Sequence, residues 1–138
     1  MATVVVAAAV VREGGRLLLT KRPRGTHLEG LWEFPGGKLE EGEAPEAALA
    51  RECLEECGID VIVEDILDVA FHRYAKKDVL LLFYACRLGA RRDVKHLEVV
   101  DHAWALPAEL DRFELPPPDA RLVAKLQRGM WVTGPITP

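Results

Sequence analysis

Three glutamates, Glu52, Glu55 and Glu56, stand at i, i+3 and i+4 within a run of strong helix formers from Ala47 to Glu56. In a helix that spacing brings their carboxylates onto one face. Like charges so placed repel by about a few tenths of a kcal/mol per pair. A solvated acidic face would tolerate that cost, whereas a cation among the glutamates would remove it. Arg51 lies beside them and can pair with one acid. Upstream, Gly36 and Gly37 follow Pro35 and read as a tight turn with exposed backbone carbonyls, and Glu43 adds a further acid. Hard oxygen donors gathered in this way suit Mg²⁺, with Mn²⁺ as the alternative.

The element that must hold these groups is legible at both ends. Pro45 suits the first helical position, where its missing N–H is not needed. Gly58, directly after Cys57, suits a left-handed helix stop. Ala47, Ala50, Leu54 and Cys57 fall opposite the glutamates and are expected to form the buried face.

The order Gly37, five residues, Glu43, seven residues, then Arg51-Glu52-Cys53-Leu54-Glu55-Glu56-Cys57-Gly58-Ile59 resembles the Nudix box, G-x5-E-x7-R-E-U-x-E-E-x-G-U, with U a bulky aliphatic. Only Cys53 departs from the pattern, a small hydrophobe at a U position. The resemblance implies a mixed β-sheet between helices, an α/β/α sandwich of the α+β class, covering the chain to about residue 128. It implies hydrolysis in which water attacks a bridging phosphorus of a polyphosphate, with no Ser or Cys nucleophile. Gly37, Glu52, Glu55 and Glu56 would hold Mg²⁺, which would neutralise the polyphosphate and lower the pKa of a bound water. Glu52, Glu55 and Arg51 would serve the reaction, Arg51 by orienting a carboxylate, while Glu43 braces the turn.

Trp32 to Lys38 with its preceding leucine, LWEFPGGK, is similar to the MutT-type branch, whose members split nucleoside triphosphates into monophosphate and pyrophosphate. In that branch the residues at the positions of His27 and Phe34 line the nucleotide pocket, and an aromatic there can stack on a base. Trp32 reads better as a core residue of the strand. Glu98, six residues before Trp104, matches a loop glutamate of the MutT-like enzymes and is a candidate general base. Asp119, just after Pro116-Pro117-Pro118, matches a base-reading position that is asparagine in MutT and aspartate in related CTP pyrophosphohydrolases. An ionised aspartate only accepts hydrogen bonds, so it would favour a base with an exposed N–H, such as 8-oxoguanine or cytosine. Its place before the last helix equally fits a helix cap. Lys21 and Arg22, ending a strand near the glycine turn, are candidates for phosphate binding.

The remaining chain must build the support. Thr3 to Arg12 reads as a buried strand, Glu13-Gly14-Gly15 as a hairpin turn and Arg16 to Arg22 as its partner. Asp60 to Tyr74 reads as a bent strand, Val79 to Leu88 as a central strand apolar on both faces, and Glu98 to Trp104 as the approach to a last short strand. Pro107 to Leu110 starts a short helix or turn, and the final helix spans Ala120 to Gln127. We expect one domain over residues 1–138, with 129–138 a loose tail. The chain has 138 residues, net charge −4 and pI about 5.6, which disfavours non-specific nucleic-acid binding, and no apolar run is long enough to span a membrane. Cys53, Cys57 and Cys86 show neither a disulfide pattern nor zinc-ligand spacing, so a cytoplasmic setting is expected. His72, His96 and His102 also lack ligand-like spacing and read as structural or solvated. The expected partner is a nucleoside triphosphate, with no nucleic acid, and the protein a monomer or homodimer. The alternatives are a Nudix hydrolase of another diphosphate, such as NADH or ADP-ribose, or a binding module that recognises 8-oxoguanine without hydrolysis. The intact glutamates disfavour the latter.

Overall fold

The computed structural model describes residues 2–130; the expected tail therefore lies, past Met130, outside the described residues. In chain order come β1 (Thr3–Glu13), β2 (Arg16–Lys21), β3 (Trp32–Glu33), β4 (Gly36–Lys38), α1 (Pro45–Cys57), β5 (Val61–Arg73), β6 (Asp78–Leu88), β7 (Asp101–Ala105) and α2 (Ala120–Gln127). Two short 3-10 helices, Pro107–Arg112 and Pro117–Asp119, precede α2.

The strands form one seven-stranded mixed sheet, ordered β3-β2-β1-β6-β5, with β4 added to β1 and β7 to β2. β1 and β6 run parallel from Thr3↔Asp78 to Val11↔Cys86, and the other pairs are antiparallel. Gly14 and Gly15, at φ 58° and 79°, make the two-residue connection from β1 to β2, a turn that needs positive φ at both positions. β5 carries register shifts between Val63 and Asp68, which supply the expected bend.

Strand alternation divides the apolar residues between two faces. Ala7, Ala9 and Val11 of β1 and Leu18 of β2 pack with Leu49, Cys53 and Cys57 of α1. Ala8 and Val10 of β1 and Leu17 and Leu19 of β2 pack with Leu122 and Leu126 of α2. The sheet is thus sandwiched between α1 and α2, the expected α+β architecture. Asp68 on β5 fastens α2 in place: Arg121 spans its carboxylate at 3.0 and 2.8 Å, and Lys125 reaches it at 3.1 Å. Burial alone would raise the Asp68 pKa, but these two cations outweigh it and hold the carboxyl below its usual range.

Two local expectations need correction. Gly36 and Gly37 are not in a tight turn but in β4, paired through Ala8↔Gly36 and Ala7↔Gly37. Close approach to β1 at Gly36 and to the Glu52 side chain at Gly37, and not chain reversal, is what demands glycine here. The buried face of α1 is also different. Ala48, Leu49, Cys53 and Cys57 are buried, whereas Ala47, Ala50 and Leu54 are exposed. The glutamates therefore flank the buried stripe instead of opposing it.

Candidate active site

Pro45 and Gly58 bound α1 as the sequence implies, Gly58 adopting φ 66° and donating its N–H to Leu54 O at 3.0 Å. Because the glutamates flank the buried stripe, Glu52 and Glu56 turn toward a pocket of about 370 Å³. Glu55 faces outward, its side chain 49% exposed. Gly37 of β4 lies directly against Glu52: a Cβ at this position would overlap the Glu52 carboxylate. Glycine here lets that side chain come down onto the strand.

Arg51 holds the outer edge of the cluster. Its guanidinium grips Glu43 with two hydrogen bonds of 2.8 and 2.9 Å, and donates to Glu55 at 3.3 Å and to Lys38 O at 3.2 Å. It also forms an ion pair with Glu52 at 3.5 Å. The hydrogen bonds from Arg51, with the Glu40 backbone N–H, pull the Glu43 pKa down to about 2. Arg51 thus links Glu43, Glu52 and Glu55, and Glu43 also accepts the Glu40 backbone N–H at 2.9 Å.

The pocket contains a carboxylate that the sequence reading missed. Glu33, on β3, is half-buried and donor-paired with Arg22 at 3.1 Å. Burial raises the Glu33 pKa against the pull of Arg22. Burial likewise raises Glu52, with Arg51 opposing and Glu55 and Glu98 adding repulsion. Glu56 is pushed up to about 8 by burial and then by Glu33 and Glu52, and its Oε1 is buried without a hydrogen-bond partner. A buried acceptor lacking a donor costs about 1–3 kcal/mol, more when charged. Several crowded carboxylates, one with an orphaned oxygen, are what a hard divalent cation would relieve. The residues fit the metal that the sequence implies. The only signal for Glu33 is a charged residue between Trp32 and Phe34 in a short apolar strand.

The other residues singled out from sequence separate clearly. Arg22 lines the pocket and donates its Nε–H to the His27 carbonyl. His27 also lines it, edge-on to Tyr74 at 5.0 Å between ring centroids. Burial, then Lys77 and Arg22, hold the His27 pKa down. Phe34 is both core and lining: it is 3% exposed, packs on Phe83 at 6.2 Å and borders the pocket. Trp32 is partly buried, edge-on to Phe113 at 5.0 Å and packed against the core on the α2 side of the sheet.

Lys21 is not brought to the pocket. Its ammonium lies over the Trp32 ring at 5.9 Å, on the strand beside β7. Lys21→Ala should therefore leave kcat/KM for a triphosphate within about twofold, while Arg22→Ala should lower it about tenfold by removing a charged contact. Steady-state kinetics of the two variants check this difference.

Asp119 is buried in the pocket wall, 4% exposed, and makes no side-chain capping bond to α2. The cap reading is thus set aside. Burial, then Glu33, push its pKa up to about 7, so it is not the fixed anion that the sequence reading assumed. Glu98 is exposed, in a loop fastened to the end of α1: Leu97 and Glu98 donate to Glu56 O at 3.1 and 3.0 Å, and Lys95 to Cys57 O at 2.8 Å. Its charge reaches Glu52. The three cysteines are buried and free, Cys57 and Cys86 pushed up to about 12 by burial, which suits inert packing thiols. Among the described residues no helix is long and apolar enough to cross a membrane.

The NUDIX domain family model matches residues 6–125. The chain is 33% identical over 127 residues to a CTP pyrophosphohydrolase of Escherichia coli, covering 89% of this chain and 90% of that one. It is 34% identical over 122 residues to an 8-oxo-dGTP diphosphatase of Haemophilus influenzae, covering 88% and 89%. The crystal structure of a MutT protein from Methanosarcina mazei superposes with TM-score 0.82 at 26% identity, covering 93% of this chain and 95% of that one. A family model that matches nearly the whole described chain, and relatives a third identical over most of its length, show that the chain belongs to the Nudix hydrolases and is MutT-like.

Proposed function

We propose that this protein hydrolyses nucleoside triphosphates to monophosphate and pyrophosphate in the presence of Mg²⁺, or Mn²⁺, removing 8-oxo-dGTP or cytidine triphosphates from the nucleotide pool. The observation that carries this reading is one pocket lined both by the carboxylates Glu33, Glu52 and Glu56 and by the buried Phe34 and Asp119. In this reading Glu52 and Glu56 with Gly37 meet the polyphosphate, and Phe34 and Asp119, which line the same pocket, meet the base. Glu52, Glu55, Glu56 and the Gly37 carbonyl would hold the cation, which supplies charge neutralisation and Lewis acidity when bound. Arg22, anchored by Glu33, directs its remaining N–H donors at phosphate oxygens. Phe34, Pro116 and Pro118, which line the pocket, would keep water from the base. Arg51 keeps Glu52 and Glu55 in register, and Glu98, whose charge reaches Glu52, would take a proton from the attacking water.

Asp119 sets the base preference. With a pKa of about 7 it is both donor and acceptor when protonated and acceptor only when ionised. The ionised form favours the N7–H of 8-oxoguanine or the amino group of cytosine and repels the bare N7 of guanine; the protonated form can donate to that N7. The ratio of kcat/KM for 8-oxo-dGTP over dGTP should therefore rise about tenfold as pH increases through about 7. Asp119→Asn, which donates and accepts at every pH, should flatten that profile. A ratio that does not change with pH in the wild type returns Asp119 to a packing role.

The deciding experiment is a hydrolysis panel with Mg²⁺ that measures pyrophosphate and orthophosphate separately. It holds 8-oxo-dGTP, dGTP, CTP, dCTP, 5-methyl-dCTP, NADH and ADP-ribose. We expect pyrophosphate from 8-oxo-dGTP well above dGTP, or chiefly from the cytosine nucleotides. Turnover of NADH or ADP-ribose alone would leave the Nudix chemistry standing and overturn the triphosphate assignment.

A further inference from the structure

Outside the pocket, the fold brings together two histidines that lack ligand-like spacing in the chain. His96 lies in the exposed loop after β6, and His102 is the second residue of β7. His96 Nε2 and His102 Nδ1 stand 2.8 Å apart, with ring centroids at 5.0 Å and planes inclined by 65°. Asp101 completes the group: one ligand atom from each of the three residues lies within 4.8 Å of the others. Two imidazoles and a carboxylate are the donor set of a borderline divalent cation, not of Mg²⁺.

We propose that His96, Asp101 and His102 form a second metal site, for Zn²⁺ or a cation of the same class, separate from the carboxylate pocket. Two nitrogens bound at about 2.0–2.1 Å to one tetrahedral ion stand about 3.3 Å apart, so the rings need to open by only about half an ångström. A cation would replace the proton that the two ring nitrogens now share. Burial, and then His96, hold His102 below its ordinary pKa, which keeps that imidazole neutral and able to coordinate. Asp101 Oδ1 accepts the His102 backbone N–H at 2.8 Å, which fixes the carboxylate beside the ring. His96 and Asp101 are exposed, so a cation can enter from solvent and a fourth position stays open to water. Occupancy ties the loop to β7 two residues from Glu98, across a segment otherwise anchored by the Glu98 and Val100 backbone N–H groups.

The test is calorimetric titration of the full chain with Zn²⁺ in excess Mg²⁺, which fills the carboxylate site first. One equivalent of Zn²⁺ should bind, with affinity lowered at least about tenfold in both His96→Gln and His102→Gln. Glu56→Gln should change it by less than about twofold. Zn²⁺ should also slow amide exchange at Leu97 and Glu98 in the wild type and not in His96→Gln. Absence of Zn²⁺ binding in Mg²⁺, wild-type affinity in both histidine variants, loss of binding in Glu56→Gln, or unchanged exchange would each overturn the proposal. His96 is a surface residue, so its variant is expected to fold, and circular dichroism verifies that before titration.

Discussion

Glu56→Gln is expected to lower kcat by at least about a hundredfold while making the metal-free protein more stable at alkaline pH. Both effects come from the same atom. The Glu56 Oε1 is buried with no partner, and burial, then Glu33 and Glu52, push the carboxyl up to about 8. In the unfolded chain it would titrate near its ordinary value of 4.5. The folded form therefore holds a proton that the unfolded form has released, between 4.5 and about 8. Stability from this group is fully present below 4.5 and is lost as pH rises through about 8. Glutamine cannot ionise, so the variant should lose this part of the decline. Mg²⁺ should stabilise the wild type more than the variant, because only the carboxylate gains from a bound cation. Melting temperature against pH, with and without Mg²⁺, in both proteins reads out the stability effect. Near-wild-type turnover in Glu56→Gln, or equal stabilisation of both proteins by Mg²⁺, would remove Glu56 from the proposed metal site, and equal melting profiles in chelator would remove its raised pKa.

What could be read from sequence divides according to the range of the interactions. Pro45, Gly58 and the hairpin glycines act within a few residues, and the elements they bound sit where the sequence placed them. The buried face of α1 is set by the sheet. Small apolar residues surround much of the helix, Ala47 and Ala50 on one side, Ala48 and Cys53 on the other, so composition did not rank the faces. The face that packs on β1 carries the glutamates at its margins. A rule that keeps charge opposite the core fails here because the site must border the core to exclude water around its carboxylates. Glu33 was missed for a related reason. Its partners Arg22, Glu52 and Asp119 converge only once β3, α1 and the segment before α2 are assembled. His96 and His102 meet because β7 pairs with β2 and the preceding loop closes over α1. Nearness in sequence to Gly37 does not separate Lys21 from Arg22: Lys21 ends β2 with its ammonium over Trp32, whereas Arg22, just past the strand, reaches the pocket.

The adjacent glycines Gly36 and Gly37 should fail in opposite ways when a methyl group is added. At Gly36 a Cβ would overlap the backbone carbonyl of Ala7 and crowd the Ala8 Cα, and the residue sits at φ 156°. Those atoms belong to the central β1 strand and cannot swing away. Gly36→Ala should therefore part β4 from β1 and destabilise the protein by about 3 kcal/mol or more, through steric overlap and backbone strain together. At Gly37 the obstacle is different: the new methyl would meet the Glu52 carboxylate and its Cγ, on a side chain that can rotate. Gly37→Ala should therefore keep nearly the wild-type melting temperature. Its effect should fall on the chemistry, because the rotated Glu52 leaves the position where Arg51, at 3.5 Å, holds it among the other carboxylates. With Glu52 holding the cation as proposed, displacing it by about an ångström costs on the order of a hundredfold in kcat. Thermal melting and kcat measured on both variants give a two-by-two result. Loss of stability at Gly36 with loss of turnover at Gly37 supports a site built on close approach of β4 to α1. A Gly37→Ala enzyme with wild-type turnover would mean that Glu52 works from a position other than the one against Gly37, and the cation-binding role proposed for this pair would fall with it.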